Sequence, residues 1–159
     1  MQPRGIDLLI VSDPSNMNWL TGYDGWSFYV HQCVVLPLSG EPIWYGRGQD
    51  ANGALRTCFM DPANIIGYPD HYVQSTERHP MDYLSAQLTD RGLAKGVIGV
   101  EMDNYWFSAA AFMALQTHLP NATLADATAL VNWQRAVKSE AELALMRQAG
   151  KIVGRMHER

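Results

Sequence analysis

The chain has 159 residues, 47% of them hydrophobic, which is the length of one ordinary domain with enough apolar material for a core. Its 12 Lys and Arg against 16 Asp and Glu leave a net charge of −4, and no run of like charge interrupts the mixture. That balance excludes a non-specific nucleic-acid binder, which needs a clustered basic face. No segment is long and apolar enough to span a membrane, and Met1-Gln2-Pro3-Arg4 does not open the apolar region of a signal peptide. The expected setting is cytoplasmic, with no nucleic-acid partner and no membrane partner. Cys33 and Cys58 form neither a CxxC pair nor a disulfide framework, so both read as reduced core thiols.

In chain order the pattern is α/β. Ile6 to Val11 is an apolar run broken only by Asp7, the texture of a strand covered on both faces. Asp13-Pro14-Ser15-Asn16 opens a short helix that Gly22 ends. Val30 to Leu36 is rich in β-formers, and the turn residues from Pro37 to Pro42 lead to a second strand, Ile43 to Tyr45, making a hairpin. Gly48 to Thr57 reads as a short helix and Asn64 to Tyr68 as a short strand. Pro80 to Thr89 places Met81, Leu84 and Leu88 on one side of a helix that Arg91-Gly92 stops. Gly96 to Val100 is another buried strand. Asp103 or Asn104 is expected to cap a helix over Tyr105 to His118, and a last short strand sits near Ala122 to Leu124. From Ser139 the capping box Ser139-x-x-Glu142 starts a helix whose Leu143, Met146 and Val153 line one face. The first strand begins almost at once and the last helix has no sequence after it to pack against, so the chain is expected to continue in a longer protein.

Several residue groups could carry chemistry. Tyr23, Trp26, Phe28, Tyr29 and His31 concentrate rings in a short segment opened by Gly22 and Gly25, which can form a loop over an active site that stacks on a small polar substrate and shields it from water. The alternative is packing: from Phe28 onward, alternation can place Phe28, Val30 and Gln32 on one strand face and Tyr29, His31 and Cys33 on the other. Asp70, His71, Glu77 and His79 are the densest set of metal-ligating types, but their spacing matches no zinc signature and reads as loop polarity. Glu101 and Asp103 lie just past a strand's carboxyl end, where open α/β sheets bind ligands, and paired carboxylates can divide acid and base roles; helix capping by Asp103 and a structural hydrogen bond from Glu101 explain them as well. Gly46-Arg47-Gly48 lacks the rest of a phosphate loop, and Arg47 or Arg56 could instead receive a substrate carboxylate.

Three separated motifs add a resemblance. Asn16-Met17-Asn18-Trp19-Leu20-Thr21-Gly22 after the first strand, Gly99-Val100-Glu101 after a later one, and Arg135-x-x-Lys138-Ser139-x-x-Glu142-x-x-x-Met146-Arg147 near the end are similar to the amino-terminal domain of the creatinase/prolidase/aminopeptidase P group. Within it, Trp19 to Gln32 and Gly67-Tyr68-Pro69-Asp70-His71-Tyr72 most resemble ectoine hydrolases. The resemblance implies a ribonuclease H-like, three-layer α/β/α domain, a mixed sheet with helices on both faces. Residues 1–134 would form this domain, and 135–159 the linker and first helix of a "pita-bread" catalytic domain.

The implied activity is hydrolysis of a C–N bond, either in a cyclic amidine or in an Xaa-Pro peptide, within a homodimer taking a small-molecule or dipeptide substrate. The domain itself would be non-catalytic, serving dimerisation and covering the active site with Tyr23, Trp26, Phe28, Tyr29 and His31. No cofactor is expected in this chain. In peptidase members a pair of divalent ions (Mn, Zn or Co) is held by carboxylates and a histidine of the catalytic domain, and creatinase-like members work without it. A stand-alone binding or dimerisation module is the reading from a different class.

Overall fold

The computed structural model describes residues Met1 to Glu158. Leu8–Val11 (β1) is buried at every position, as its unbroken apolar sequence requires. Asp13 then accepts a hydrogen bond from the Asn16 amide at 2.9 Å, Pro14 takes the first turn, and α1 runs Pro14–Thr21 to Gly22, whose φ of 78° is the left-handed stop. The hairpin forms from Cys33–Pro37 (β2) and Ile43–Arg47 (β3). A short helix, Ala51–Thr57 (α2), leads to Ile65–Tyr68 (β4), and Pro80–Asp90 (α3) to Gly96–Val100 (β5). Ala109–His118 (α4) and Ala122–Asp126 (β6) complete the sheet.

The six strands lie in the order β4-β3-β2-β1-β5-β6. β2 is antiparallel to both β1 and β3, whereas β1–β5, β5–β6 and β3–β4 are parallel, so the sheet is mixed. Alternation along the strands sorts its side chains between two helical layers. Leu8, Ile10, Cys33, Val35, Tyr45, Ile98 and Val100 pack with Met81, Leu84 and Leu88 of α3 and Ala111 and Leu115 of α4. The intervening Leu9, Val11, Val34 and Trp44 face the other way, the side of Met17 in α1 and Ala54 in α2, all fully or almost fully buried.

Three element ends differ from expectation. β2 begins at Cys33 rather than Val30, because the His31 carbonyl is taken by the Tyr68 hydroxyl at 2.9 Å instead of by β3. α4 begins at Ala109 with Ser108 as its cap, at 3.2 Å from the Ala111 amide, not at Tyr105 under Asp103 or Asn104. Asn104 instead accepts from the Trp106 amide in a turn that drops Phe107 into the core. α3 is capped by His79, whose Nδ1 accepts from Met81 while Asp82 accepts from the His79 amide at 2.7 Å.

Met1–Thr128 form one compact unit, and a second starts at Ala129. The second holds Leu130–Ala136 (α5), which no cap residue announces, since Ala129 precedes it at φ 62°. Glu140–His157 (α6) follows its capping box, with Ser139 and Glu142 exchanging hydrogen bonds at 2.7 and 3.3 Å. None of its residues is buried, and Leu145, Met146, Ile152 and Met156 are exposed.

Candidate functional site

The segment between α1 and β2 is a loop built on a buried pillar. Tyr23 is 4% exposed, its ring 5.1 Å from that of Trp44 and its hydroxyl donating to Gln32 Oε1 at 2.9 Å. Burial pushes its phenol up to about 12, so it stays a neutral donor. Gly25 crosses directly above: a Cβ there would lie 2.7 Å from the Tyr23 hydroxyl, so a side chain would force loop and pillar apart. The chain then turns outward. Trp26 and Phe28 meet edge to face, 4.1 Å between centroids, yet are 56% and 68% exposed, and Tyr29 is 62% exposed. Tyr23 thus supports the loop, and Trp26, Phe28 and Tyr29 present rings to solvent. Because β2 starts later than expected, the strand-face alternation does not apply to Phe28 through His31.

His31 closes the loop against α3. Its ring lies 4.6 Å from that of His79, and burial, with a smaller contribution from His79, holds its imidazole down near 4. His79 is likewise lowered, chiefly by burial. Its Nδ1 already serves the Met81 amide, so the neutral ring carries its proton on Nε2 and is not poised as a metal ligand.

The three exposed rings line an open cleft of about 260 Å³ together with Ser27, Val30, Arg47 and Asp50. Arg47, at the end of β3, makes a two-pronged pair with Asp70, Nε to Oδ1 at 2.8 Å and Nη2 to Oδ2 at 3.1 Å. That bonding raises the guanidinium and lowers the Asp70 carboxyl. Asp50 precedes α2 but makes no capping hydrogen bond, and burial raises its carboxyl against the opposing pull of Arg47. The sequence named Arg47 as a candidate and placed Asp50 inside a helix over Gly48 to Thr57; the helix starts at Ala51, which leaves Asp50 before it and on the cleft wall. Arg56 sits in the last turn of α2 and is not among the residues lining this cleft.

Asp70, His71, Glu77 and His79 do not converge. Asp70 belongs to Arg47, His79 to the α3 cap, His71 stacks by Tyr72, and Glu77 lies near Arg78 at 3.6 Å. Among the described residues no group of three or more His, Cys, Asp or Glu could hold a metal ion. These four residues therefore do not fit a paired metal centre.

Glu101 is spoken for in another way. It is 3% exposed at the end of β5, where the chain leaves the paired parallel strands β1 and β5 for neighbours on opposite sides, β2 and β6, the position at which such sheets take ligands. Its own carboxylate fills that position. Oε2 accepts from the Ser12 and Asp13 amides at 2.7 and 2.9 Å and from Asn104 at 3.2 Å, and Oε1 from Asn16 at 2.6 Å. The expected structural hydrogen bond is thus a network tying the β1–α1 turn to β5. Asp103 caps no helix; its amide donates to Thr128 at 3.0 Å.

Comparison with known proteins agrees with this architecture. The family model described as the creatinase/prolidase N-terminal domain matches residues 1–137. The chain belongs to that family. It is 66% identical over 160 residues to the ectoine hydrolase of Halomonas elongata, covering all of this chain and 40% of that protein. An uncharacterized hydrolase/peptidase of Sinorhizobium fredii is 43% identical, with 100% of this chain and 41% of that protein aligned. The chain therefore spans about two fifths of the length of these curated relatives. Among solved structures, a dipeptidase from Pyrococcus horikoshii superposes with a TM-score of 0.73 at 19% identity, over 99% of this chain and 40% of that one. A proline dipeptidase chain from Streptococcus pneumoniae gives 0.68 at 21% identity, over 86% and 92%. At these identities the structures establish the fold. No helix among the described residues is long and apolar enough to cross a membrane.

Proposed function

We propose that this chain is the amino-terminal domain of an ectoine hydrolase, which opens a cyclic amidine at a C–N bond, and that the loop from Tyr23 to His31 covers the substrate there. The catalytic groups are assigned to a further domain of the longer protein. The domain works within a homodimer, where its loop reaches the pocket of the neighbouring subunit. The observation that carries the reading is the exposure of Trp26, Phe28 and Tyr29 on a loop pinned from below by Tyr23 and Gly25. Three large rings fixed outward beside a charged cleft lose burial energy that a purely structural loop would recover. The 66% identity to an ectoine hydrolase supports the choice of substrate.

The test is Trp26→Ala in the longer protein with ectoine as substrate. Turnover should fall at least about tenfold while the melting temperature stays within about a degree, since the side chain is more than half exposed. Parallel loss of both would return Trp26 to a packing role.

A further inference from the structure

The aromatic loop joins the sheet at one peptide bond. β2 and β3 pair antiparallel with Cys33 opposite Tyr45, and β3 runs two residues further, so the same register sets Gln32 opposite Gly46 and His31 opposite Arg47. Gln32 keeps that place: a Cβ on Gly46 would lie 3.3 Å from the Gln32 Cβ, and the Gln32 side chain is held by the Tyr23 hydroxyl. His31 does not. The Leu38 amide donates to the Asp7 carbonyl at 2.8 Å, which makes Leu36 and Val34 the residues of β2 whose backbone faces β1 and leaves Val35, Cys33 and in turn His31 facing β3. The next hydrogen-bonded position of the ladder is therefore the His31 carbonyl with the Arg47 amide. The Tyr68 hydroxyl takes that carbonyl instead, at 2.9 Å.

Tyr68 is placed to hold it. The residue is fully buried, its ring 5.2 Å from that of Tyr45, and its backbone is fixed by the β3–β4 ladder and by the Gly48 amide, which donates to its carbonyl at 2.9 Å. Burial raises its phenol, so the group stays a protonated donor. Two donors of similar strength thus compete for one acceptor. Pairing with Arg47 draws residues 29 to 31 down along β3, and the Tyr68 bond keeps them off it. Arg47 and Tyr29 both line the cleft, so the outcome of that competition decides where the rings stand.

We propose that Tyr68 is a positioning residue: by taking the His31 carbonyl from β3, its hydroxyl holds the aromatic loop in the raised conformation that receives substrate. The proposal rests on the loop being a substrate cover and adds what sets the position of that cover. Without the hydroxyl, β2 lengthens by one hydrogen-bonded pair, and substrate must pull the loop back. Such a conformer lowers apparent affinity by the fraction of molecules still raised and leaves the rate at saturation intact.

The experiment is Tyr68→Phe in the longer protein, which keeps the ring and removes the donor, followed by kinetics on ectoine and residue-resolved hydrogen exchange of the backbone. KM should rise about tenfold while kcat stays within about twofold of wild type. The Arg47 amide should exchange as an open ladder end in wild type and at least about tenfold more slowly in the variant, where it gains the His31 carbonyl. A tyrosine that merely supports the fold would instead lower kcat through the folded fraction and leave KM alone. That result, an unchanged KM, or an Arg47 amide already protected in wild type overturns the proposal, and the last of these is read without the variant. The two readings fail separately. Undiminished turnover of Trp26→Ala removes the cover itself, whereas an impaired Trp26→Ala beside an unaltered Tyr68→Phe removes only the positioning role.

Discussion

Glu101 shows how much one side chain can organise. Four N–H donors converge on its carboxylate, two from the backbone of the β1–α1 turn and one each from Asn16 and Asn104. Glu101→Gln would set an amide N–H against donors and leave part of the network unpaired in a buried site. We expect a loss of about 3 kcal/mol, read as a lower urea midpoint at unchanged slope. A midpoint within about 0.5 kcal/mol of wild type would mean that the network is dispensable. The presence of Glu101 after a strand was legible in the sequence, and so was its structural role. Its partners were not, since Ser12 and Asp13 lie almost ninety positions away. Asp50 was illegible for a local reason: a helix read from Gly48 places it inside the first turn, whereas the helix begins at Ala51 and leaves Asp50 in the turn before it.

At the scale of the element, α3 and the end of the aromatic loop meet through His31 and His79. Both imidazoles are held neutral mainly by burial, His31 down to about 4 from its ordinary 6.5. A lowered folded-state value means that the unfolded chain binds the proton more readily. The contribution of His31 is therefore complete above pH 6.5 and is lost as pH falls from there toward 4. Protonating His79 also removes the acceptor that caps α3. The melting temperature should decline across that window, and His31→Gln should flatten the decline; an unchanged slope would contradict the assignment. The helix itself was readable from Met81, Leu84 and Leu88, but its cap was not, because histidine is an uncommon capping residue. The start of α4 was misplaced for a related reason. Asn104 has the chemistry of a cap and uses it on a local turn, while burial of Phe107 delays the helix to Ser108.

For the whole molecule, alternating strands and helices made the α/β class legible, and the separated motifs made the family legible. The strand order β4-β3-β2-β1-β5-β6 was not, since parallel neighbours such as β1 and β5 are joined by nearly ninety residues that carry no local sign of their pairing. The aromatic loop was visible as composition, but which rings face solvent depended on where β2 begins, and that is set by the distant Tyr68 hydroxyl. The central claim is that this loop covers a substrate held by the longer protein. Hydrogen exchange of that protein with and without saturating ectoine tests it most directly. The account predicts that ectoine slows exchange in the peptide spanning residues 22–32 while leaving β1 and β5 as they were; unchanged exchange in that peptide, with protection elsewhere proving that ectoine is bound, would contradict it.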